Sequence, residues 1–481
     1  MLPANLPARR DRRSGAQQSQ SPVAKPWWTK RHQSQSPVAK PWWTKRHQSK
    51  SPVAKPWWTK RHQSKSPVAK PWWTRSPWSR ARWTKSPWSK AAAIAAVLST
   101  VFLGACSSGQ AGSPGATTHI PDPTPPSAVS HVFVIMLENV SYDSAYGPKP
   151  IYPYLANTLR PEGVLLNQFY GVAHWSLGNY LAILGGTSPT KDIQGDCTKY
   201  TDMTEAQPAA DGQVTSKHGC VFPKSVPTLA NQLTDNNLTW KGYMQDMGAA
   251  PYREQASCGI PSLGPDKSDL TQNSVPWDNY AARHNPFIYF SAVRDTPACA
   301  ANVKPLDQLT TDLKTAATTP NFAFISPSLC DDGHNECPAP RTPDSWLSTW
   351  IPLIQASPAY KNSMIIILAD EAKNDSRACC QEPSGPNVPH PGGPNSALLQ
   401  AQGNGAGGGR IGALVLSPFV KAGSTSTIPY NDYSLLRSIE NLFSLPHLGY
   451  AAQPGLVPFG PDVWTSKAQT SSASAVPTPT N

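Results

Sequence analysis

The chain has 481 residues, 52 of them proline, and a formal net charge of +12. The positive charge is concentrated in residues 1–105, which hold 21 of the 42 lysines and arginines but only one acidic residue, Asp11. The remaining residues carry 21 basic and 29 acidic side chains, a net charge of 21 − 29 = −8. The overall positive charge would suggest a nucleic-acid partner, but it lies in the leader and the remaining chain is acidic. We therefore expect no nucleic-acid partner for the mature domain.

Residues 1–89 are a basic leader rich in tryptophan and proline. The unit SPVAKPWWTKRHQS begins at Ser21, Ser36 and Ser51, and a fourth, diverging copy begins at Ser66. A unit with a central proline and hardly any aliphatic side chain cannot stack into a core, so we expect disorder here. Two interpretations stay open. Either translation starts further downstream and the repeats are never made, or they form a cationic segment that contacts anionic lipid or polymer.

Residues 90–106 have the parts of a secretory signal. Lys90 precedes an apolar run at residues 91–101 that is too short to span a bilayer stably, and small residues lead to Cys106. The ending LGAC resembles the lipobox of bacterial lipoproteins, in which the cysteine is lipidated and becomes the N-terminus. We therefore expect an exported protein that is anchored to the cell membrane through Cys106 and faces away from the cytoplasm. Residues 107–129, rich in Ser, Gly and Pro, would be the tether.

Cysteine usage also fits an exported chain. Eight cysteines remain beyond Cys106, and an even set favours disulfides. A zinc cluster is the alternative, but no CxxC pair supports it. The pairing of the eight stays open, and a bond between Cys330 and Cys337 is the least speculative.

Residues 130–464 alternate strand-like and helix-like segments, and a low-complexity tail follows at residues 465–481. This alternation predicts an α/β domain with a central, mostly parallel sheet flanked by helices on both faces. The predicted strands are residues 131–137, 163–169, 238–243, 286–290, 321–326, 363–369 and 412–417. The predicted helices are residues 177–184, 227–235, 305–316, 344–356 and 432–444.

Polar side chains directly follow four of the predicted strands. They are Glu138 and Asn139 after HVFVIML, His174 and Ser176 after VLLNQFYGV, Asp332 and His334 after FAFIS, and Asp370 and Glu371 after MIIILA. The carboxyl ends of parallel strands meet at one edge of a sheet, where ligands bind in open α/β folds. Any one of these cases would equally fit a helix cap or a turn, but four together predict a functional site.

The residue types suit metal-assisted phosphoryl transfer. The oxygens of Glu138, Asn139, Asp370 and Glu371 are suitable ligands for one divalent cation, such as Mg²⁺, Ca²⁺, Mn²⁺ or Zn²⁺. Ser176 begins a predicted helix, where free N–H groups favour an anion, and a metal ion would activate its hydroxyl as a nucleophile. The sequence therefore predicts a phosphoester substrate.

Two histidines complete the predicted constellation. His174 and His334 would donate to phosphoryl oxygens or protonate the leaving alcohol. The structural alternatives are an N-cap role for Ser176, which is compatible with catalysis, and a buried, hydrogen-bonded ring for His174. A Ser-His-Asp acyl hydrolase is disfavoured because the serine lies in HWSLG and not in a GxSxG elbow.

Five segments resemble successive blocks of the bacterial phosphoesterase family. They are HVFVIMLENVSYDSAYG, HWSLGNYLAILGG, PSLCDDGHNEC, ILADEAKND and the stretch that begins GRIGALVLSPFVKAG. That family belongs to the alkaline-phosphatase-like superfamily and includes acid phosphatases and phospholipases of type C. The resemblance implies an alkaline-phosphatase-like fold and a metal-assisted phosphoester hydrolase with a Ser or Thr nucleophile.

The resemblance also implies roles for individual residues. By position, Glu138 and Asn139 fall on the family's metal and phosphate contacts, and Ser176 falls on its nucleophile. Asp370 and Glu371 fall on the acidic metal pair. The remaining implied phosphate-binding or metal-binding positions are those of Asp332 and His334.

The sequence departs from the family pattern at three positions. Trp175 and Gly178 replace the prolines of a block that usually reads His-Pro-Ser-Leu-Pro-Asn, and this leaves Ser176 in place. Asp432 stands where many members have a histidine. If that position contacts the site, Asp432 joins the substrate-binding residues and alters metal preference or phosphate binding.

The expected function is hydrolysis of phosphoric ester bonds, with monoesters favoured as in acid phosphatases. One alternative is a phospholipase C-type phosphodiesterase that cleaves phospholipid head groups. A further alternative, from another class, is a lipoprotein that binds phosphorylated polymer without turnover.

Overall fold

A computed structural model describes residues 121–387 and 407–465 of the chain. The predicted leader, the signal segment with Cys106, the tether up to residue 120 and the tail from residue 466 lie outside the described residues. Within the described ranges, no helix combines the length and the apolar character needed to cross a membrane.

The described residues form strands and mostly short helices. The strands are β1 (His131–Leu137), β2 (Val164–Leu166), β3 (Phe169–Gly171), β4 (Gln207–Pro208), β5 (Val214–Thr215), β6 (Trp240–Met244), β7 (Val303–Pro305), β8 (Phe322–Ser326), β9 (Ser363–Ala369), β10 (Gly409–Arg410), β11 (Ala413–Leu416), β12 (Ser424–Ser426) and β13 (Tyr430–Asn431). The α-helices are α1 (Tyr142–Tyr146), α2 (Ser176–Gly185), α3 (Leu229–Asp235), α4 (Ser291–Arg294), α5 (Pro297–Asn302), α6 (Gln308–Asp312), α7 (Pro343–Gln355) and α8 (Asp432–Leu442). Further helical turns lie at Tyr154–Leu159, Arg160–Glu162, Ile193–Gly195, Ala210–Gly212, Ala282–His284, Pro286–Tyr289, Tyr360–Asn362 and Gly449–Ala452.

Eight strands form the central sheet, in the order β12-β2-β11-β9-β1-β8-β6-β7. The run from β9 to β7 is parallel throughout, whereas β11 is antiparallel to both of its neighbours. Strands β10, β3 and β13 form a second sheet, and β4 pairs with β5. The expected α/β class with a central, mostly parallel sheet is thus confirmed.

The centre of the sheet is completely buried. Every residue of β1 and of β9 is buried. Because successive strand residues face opposite sides of a sheet, complete burial means that both faces are covered. The register pairs Leu137 with Ala369, so β1 and β9 end at the same level. The residues that follow them therefore lie side by side at the carboxyl edge.

Two strand predictions were wrong. The sequence predicts a strand at residues 286–290, but Pro286–Tyr289 form a 3₁₀ turn. Proline fixes φ near the helical value and has no N–H for a sheet, so it favours the first turn of a helix. The single strand predicted at residues 163–169 is two strands, because Val164–Leu166 joins the central sheet and Phe169–Gly171 joins the second sheet.

The helix predictions differ mainly at one place. Helices α2, α3, α7 and α8 begin and end within two residues of the predicted bounds. The helix predicted at residues 305–316 is only Gln308–Asp312, because Val303–Pro305 pairs with β6 as a strand. Edge strands of this kind carry little hydrophobic pattern, so the sequence does not reveal them.

The eight cysteines form four disulfides. The pairs are Cys197–Cys220, Cys258–Cys299, Cys330–Cys337 and Cys379–Cys380. The expected use of the cysteines is confirmed, including the bond between Cys330 and Cys337.

Candidate active site

Three of the acidic segments meet at the carboxyl edge of the sheet. The Asp370 N–H donates to the Leu137 carbonyl at 3.0 Å, and the Glu138 N–H donates to the Asp332 carbonyl at 2.9 Å. These backbone bonds join the segments after β9, β1 and β8, which are neighbouring strands. The structure therefore brings Glu138, Asp332 and Asp370 together, although they are far apart in sequence.

Glu138 lies at the centre of this edge and is fully buried. Its Oε2 accepts a hydrogen bond from Ser176 Oγ at 2.8 Å, and its Oε1 accepts one from the Tyr180 hydroxyl at 2.8 Å. His284 Nε2 lies 3.1 Å from the same Oε1. A single carboxylate thus connects the predicted nucleophile to a histidine from another part of the chain.

Glu138, His284 and Asp332 form a buried group that can hold a metal ion. One ligand atom from each of the three lies within 4.8 Å of the others. His284 Nδ1 is 3.1 Å from Asp332 Oδ2, and the other oxygen, Oδ1, accepts the His334 N–H at 2.7 Å. Two carboxylates and one imidazole are a donor set that suits Zn²⁺ or Mn²⁺ and also admits harder ions.

Burial sets the electrostatics of this group. It raises the pKa of both Glu138 and Asp332 well above their usual range, and nearby carboxylates add to the effect at Glu138. Burial also holds the pKa of His284 well below its usual range, which makes the imidazole neutral. His284 Nε2 is buried without a hydrogen-bond partner among the described residues, although it lies 3.1 Å from Glu138 Oε1. A proton or a cation between the His284 imidazole and the Glu138 carboxyl would stabilise this arrangement.

Asp370 lies beside Glu138 and has one unused oxygen. Its Oδ1 accepts the Asn139 N–H at 2.9 Å, whereas Oδ2 is buried without a partner among the described residues. The Asn139 amide group donates to Glu138 at 3.2 Å. Burial, and after it the charge of Glu371, raises the pKa of Asp370 to about 7. An unpartnered buried carboxylate oxygen at this place is consistent with a cation ligand.

Ser176 is the first residue of α2 and is buried. Its hydroxyl points to Glu138 rather than capping the helix, so the N-cap alternative is not what the structure shows. The preceding residue, Trp175, has φ of 70° and a half-exposed ring. Asp196 accepts the Leu177 N–H at 3.1 Å and fixes the first turn.

His174, two residues before Ser176 in the chain, pairs with Glu371. The ring contacts Glu371 Oε2 through Nδ1, and Nε2–H donates to the Asp375 carbonyl at 2.8 Å. Burial alone would lower the pKa of His174, but the Glu371 carboxylate outweighs burial and raises it. The same oxygen of Glu371 accepts the Trp175 N–H at 3.0 Å. Glu371 thus holds the backbone on which Ser176 sits.

Two other predicted residues lie at the margin of the site. Asp432 is fully buried and accepts the Val172 N–H at 3.2 Å; its other oxygen has no partner among the described residues. Burial raises the pKa of Asp432 well above its usual range, and the charge of Asp370 adds to this. His334 is exposed, and its Nε2 lies 3.1 Å from Arg283 Nη2, which donates to it.

Sequence reasoning missed His284 and Tyr180. His284 belongs to the turn Ala282–His284, which follows no strand, so the strand-end pattern does not point to it. Tyr180 lies one turn into α2 and reads as an ordinary buried aromatic residue. Its ring stacks on His284 with centroids 5.2 Å apart. The helical spacing of four residues from Ser176 is the only sequence signal that links Tyr180 to the site.

The chain belongs to the phosphoesterase family, because the family description matches residues 151–446, more than half of its length. The expected family is thereby confirmed. The matched range contains Ser176, His284, Asp332 and Asp370, while Glu138 and Asn139 precede it.

Curated relatives with assigned names are distant. A probable acid phosphatase of Kluyveromyces lactis is 24% identical over 323 residues, which are 67% of this chain and 60% of the relative. A phosphate-repressible acid phosphatase of Penicillium chrysogenum is 25% identical over 66% of this chain and 59% of its own. A phosphatidylinositol-3-phosphatase of Mycobacterium tuberculosis is 22% identical over 70% of this chain and 83% of the relative. The match thus spans about 60% of the first two relatives, and the names agree with the expected class, a hydrolase of phosphoric esters.

Among solved structures, a protein of the alkaline phosphatase superfamily from Vibrio parahaemolyticus is similar to this chain. It is 12% identical and covers 73% of this chain and 76% of its own, with a TM-score of 0.40. At this distance the likeness supports no statement about function.

Proposed function

We propose that this protein hydrolyses phosphate esters, with monoesters preferred, through a Ser176 nucleophile assisted by one divalent metal ion. The observation that supports this most is the hydrogen bond from Ser176 Oγ to Glu138 within a buried group of potential metal ligands. Family membership and the acid phosphatases among the relatives support the reaction class.

The residues present fit a metal ion. Glu138, His284 and Asp332 would hold it, and Asp370 Oδ2 is a further buried oxygen without a partner among the described residues. When bound, a divalent ion lowers the pKa of a coordinated hydroxyl and stabilises negative charge on phosphoryl oxygens.

The chain's own residues supply the rest of the chemistry. Glu138 Oε2 accepts the hydrogen bond of the Ser176 hydroxyl and is placed to take its proton as Oγ attacks phosphorus. The P–O bond to the alcohol then breaks, and the alcohol leaves with a proton. Water completes the reaction by hydrolysing the phosphoserine to inorganic phosphate and free serine. His334 Nε2 accepts a hydrogen bond from Arg283 Nη2 at 3.1 Å, so the proton for the leaving alcohol would come from water.

The backbone around Ser176 is fixed by two carboxylates. Glu371 accepts the Trp175 N–H at 3.0 Å and Asp196 accepts the Leu177 N–H at 3.1 Å. A nucleophile held in place by its neighbours loses little entropy when it attacks, which lowers the barrier. Glu371, together with His174, therefore acts as a positioning residue.

Export and lipid anchoring at Cys106 are part of the proposal. The signal segment at residues 90–106 supports export, and the four disulfides support an oxidising compartment. Mass spectrometry of the mature N-terminus tests this directly. A lipidated Cys106 at the N-terminus is expected, and a peptide from residues 1–89 in the mature protein would contradict it.

The activity is tested with the purified protein and two chromogenic substrates, p-nitrophenyl phosphate and p-nitrophenyl phosphorylcholine, with and without a chelator. We expect faster turnover of the monoester, loss of turnover with the chelator, and a drop of at least about a thousandfold in Ser176→Ala. The control is Ser188→Ala, since the buried Ser188 hydroxyl has no partner among the described residues. Diester preference would indicate a phospholipase C-type enzyme. Equal rates in wild type and Ser176→Ala would refute the nucleophile.

A further inference from the structure

A cavity of about 420 Å³ opens beside the candidate active site. Residues 141–143 form one wall, Asn374, Asp375 and Arg377 form another, and Arg410 on β10 forms the third. Both chain segments lead directly away from the site, one from Asn139 and the other from Asp370. The Asp375 carbonyl, which accepts the His174 N–H at 2.8 Å, is the shared boundary of cavity and site.

Each of the two arginines in the wall contacts a neighbouring side chain. The Arg410 guanidinium lies 3.7 Å from the centroid of the Tyr142 ring, and its Nε donates to the Asn167 carbonyl at 2.6 Å. Arg377 Nη2 is 2.6 Å from Asp375 Oδ2. The terminal nitrogens of Arg410 make no hydrogen bond within the described residues, so they are available to a ligand at little entropic cost.

The cavity also offers free hydrogen-bond acceptors. Asp143 and Asn374 are exposed, and neither side chain has a hydrogen-bond partner in the part of the chain that the structure describes. An aspartate accepts only, whereas an asparagine both donates and accepts. Donors from Arg410 therefore face a ligand together with acceptors from the opposite wall.

The charges of the lining balance. Two arginines stand against two aspartates, Asp143 and Asp375, so the cavity carries no net charge that would select an anion. Its polar lining also gives an apolar leaving group no advantage. A group with several hydroxyls matches it, because each hydroxyl can both donate to a carboxylate and accept from a guanidinium. The volume lies in the range of small-molecule sites.

We propose that this cavity binds the leaving group of the substrate and that this group is polyhydroxylated, as in a phosphorylated sugar or polyol. The inference rests on the proposed phosphoesterase function and adds the substrate class to it. The shared chemistry is a ring or chain of hydroxyls next to the phosphate, whether free in solution or displayed on a lipid.

The test compares two monoesters of a primary alcohol in the purified protein, glucose 6-phosphate and n-hexyl phosphate, by release of inorganic phosphate. They differ in the extra hydroxyls and not in the type of ester. We expect the ratio of their kcat/KM values, sugar over hexyl, to fall roughly three- to tenfold in Asp143→Asn and in Arg410→Ala, the loss typical of one hydrogen bond. The control Asp235→Asn changes an exposed aspartate on α3 and leaves the ratio unaltered.

Several results would overturn the inference, and they differ from a failure of the proposed function. An unchanged ratio in both cavity variants refutes hydroxyl recognition. A rise in kcat/KM for both substrates in Asp143→Asn means that removing a negative charge helps, so the cavity binds an anion instead. No release from p-nitrophenyl phosphate by the wild type refutes the phosphoesterase itself. Vesicles that contain a phosphorylated glycolipid show whether the natural polyol phosphate is free in solution or carried by a lipid. The cavity variants should lose turnover on whichever of the two the wild type hydrolyses better.

Discussion

A single backbone conformation presents Ser176 to Glu138. Trp175 has φ of 70° and ψ of 137°, a region that residues with a Cβ rarely occupy. Such conformations cost on the order of 1–3 kcal/mol and persist where the surroundings impose them. Packing of the side chain does not provide the compensation, since 51% of the residue is exposed. The hydrogen bond from its N–H to Glu371 does, at 3.0 Å.

This strain predicts an unusual order of stability. The free energy of unfolding of Trp175→Gly should be about 1 kcal/mol higher than that of Trp175→Ala, because glycine adopts positive φ without a Cβ penalty. Urea denaturation measures both values. Leu353, half-exposed in α7, provides the control, where the glycine variant should be about 0.5–1 kcal/mol less stable than the alanine variant. An alanine variant that equals or exceeds glycine at position 175 would show that this backbone is not strained.

At the scale of residues, the sequence located the acidic part of the site. Glu138, Asp332 and Asp370 each follow a buried strand, and parallel register alone brings strand ends together. His284 obeys no such rule, because it reaches Glu138 from a turn whose position depends on tertiary packing. No local pattern encodes that placement.

At the scale of elements, long and fully apolar segments were predictable. The predicted bounds of β1 and β9 coincide with those of the structure, since seven buried residues in a row leave no other assignment. Residues 286–290 are equally apolar but short, and Pro286 converted the segment into a 3₁₀ turn. Short apolar runs fit a buried turn as well as a strand, and only their packing partners decide.

Helix α8 contains a buried acid with consequences for stability. Glu440 is completely buried, and its Oε1 accepts the Leu448 N–H at 2.9 Å. Burial raises its pKa to about 9, from a usual value near 4.5. The folded chain therefore keeps a proton that the unfolded chain releases in this range. The contribution to stability is complete below about pH 4.5 and is lost as pH rises toward 9.

Replacing Glu440 by glutamine should remove this pH dependence. Glu440→Gln keeps the shape of the side chain and has no proton to lose, so its advantage over wild type should grow with pH. The difference in free energy of unfolding should increase by roughly 2 to 4 kcal/mol between about pH 5 and pH 8. Urea denaturation across that range measures it, with the exposed Glu162→Gln as control. A constant difference would mean that Glu440 is ionised in the folded chain.

At the scale of the whole molecule, the site connects two neighbouring strands to a segment from a distant part of the chain. Glu138 follows β1, Asp332 follows β8, and His284 belongs to the long excursion between β6 and β7. Their facing polar atoms are buried, and two like charges in one place oppose folding. A bound cation would replace this repulsion by attraction and join the three segments.

Metal binding should therefore stabilise the fold as well as permit turnover. A ligand that binds only the folded state adds about 2.7 kcal/mol at a free concentration of about 100 times Kd. The melting temperature should rise when Zn²⁺, Mn²⁺, Mg²⁺ or Ca²⁺ is added to chelator-treated protein, most for the native ion. Asp332→Asn should largely abolish the rise, because it removes one of three ligands, while Asp235→Asn on the surface of α3 should retain it. An equal rise in Asp332→Asn would place the ion elsewhere. No rise with any of the four ions would contradict a metal site at Glu138, His284 and Asp332.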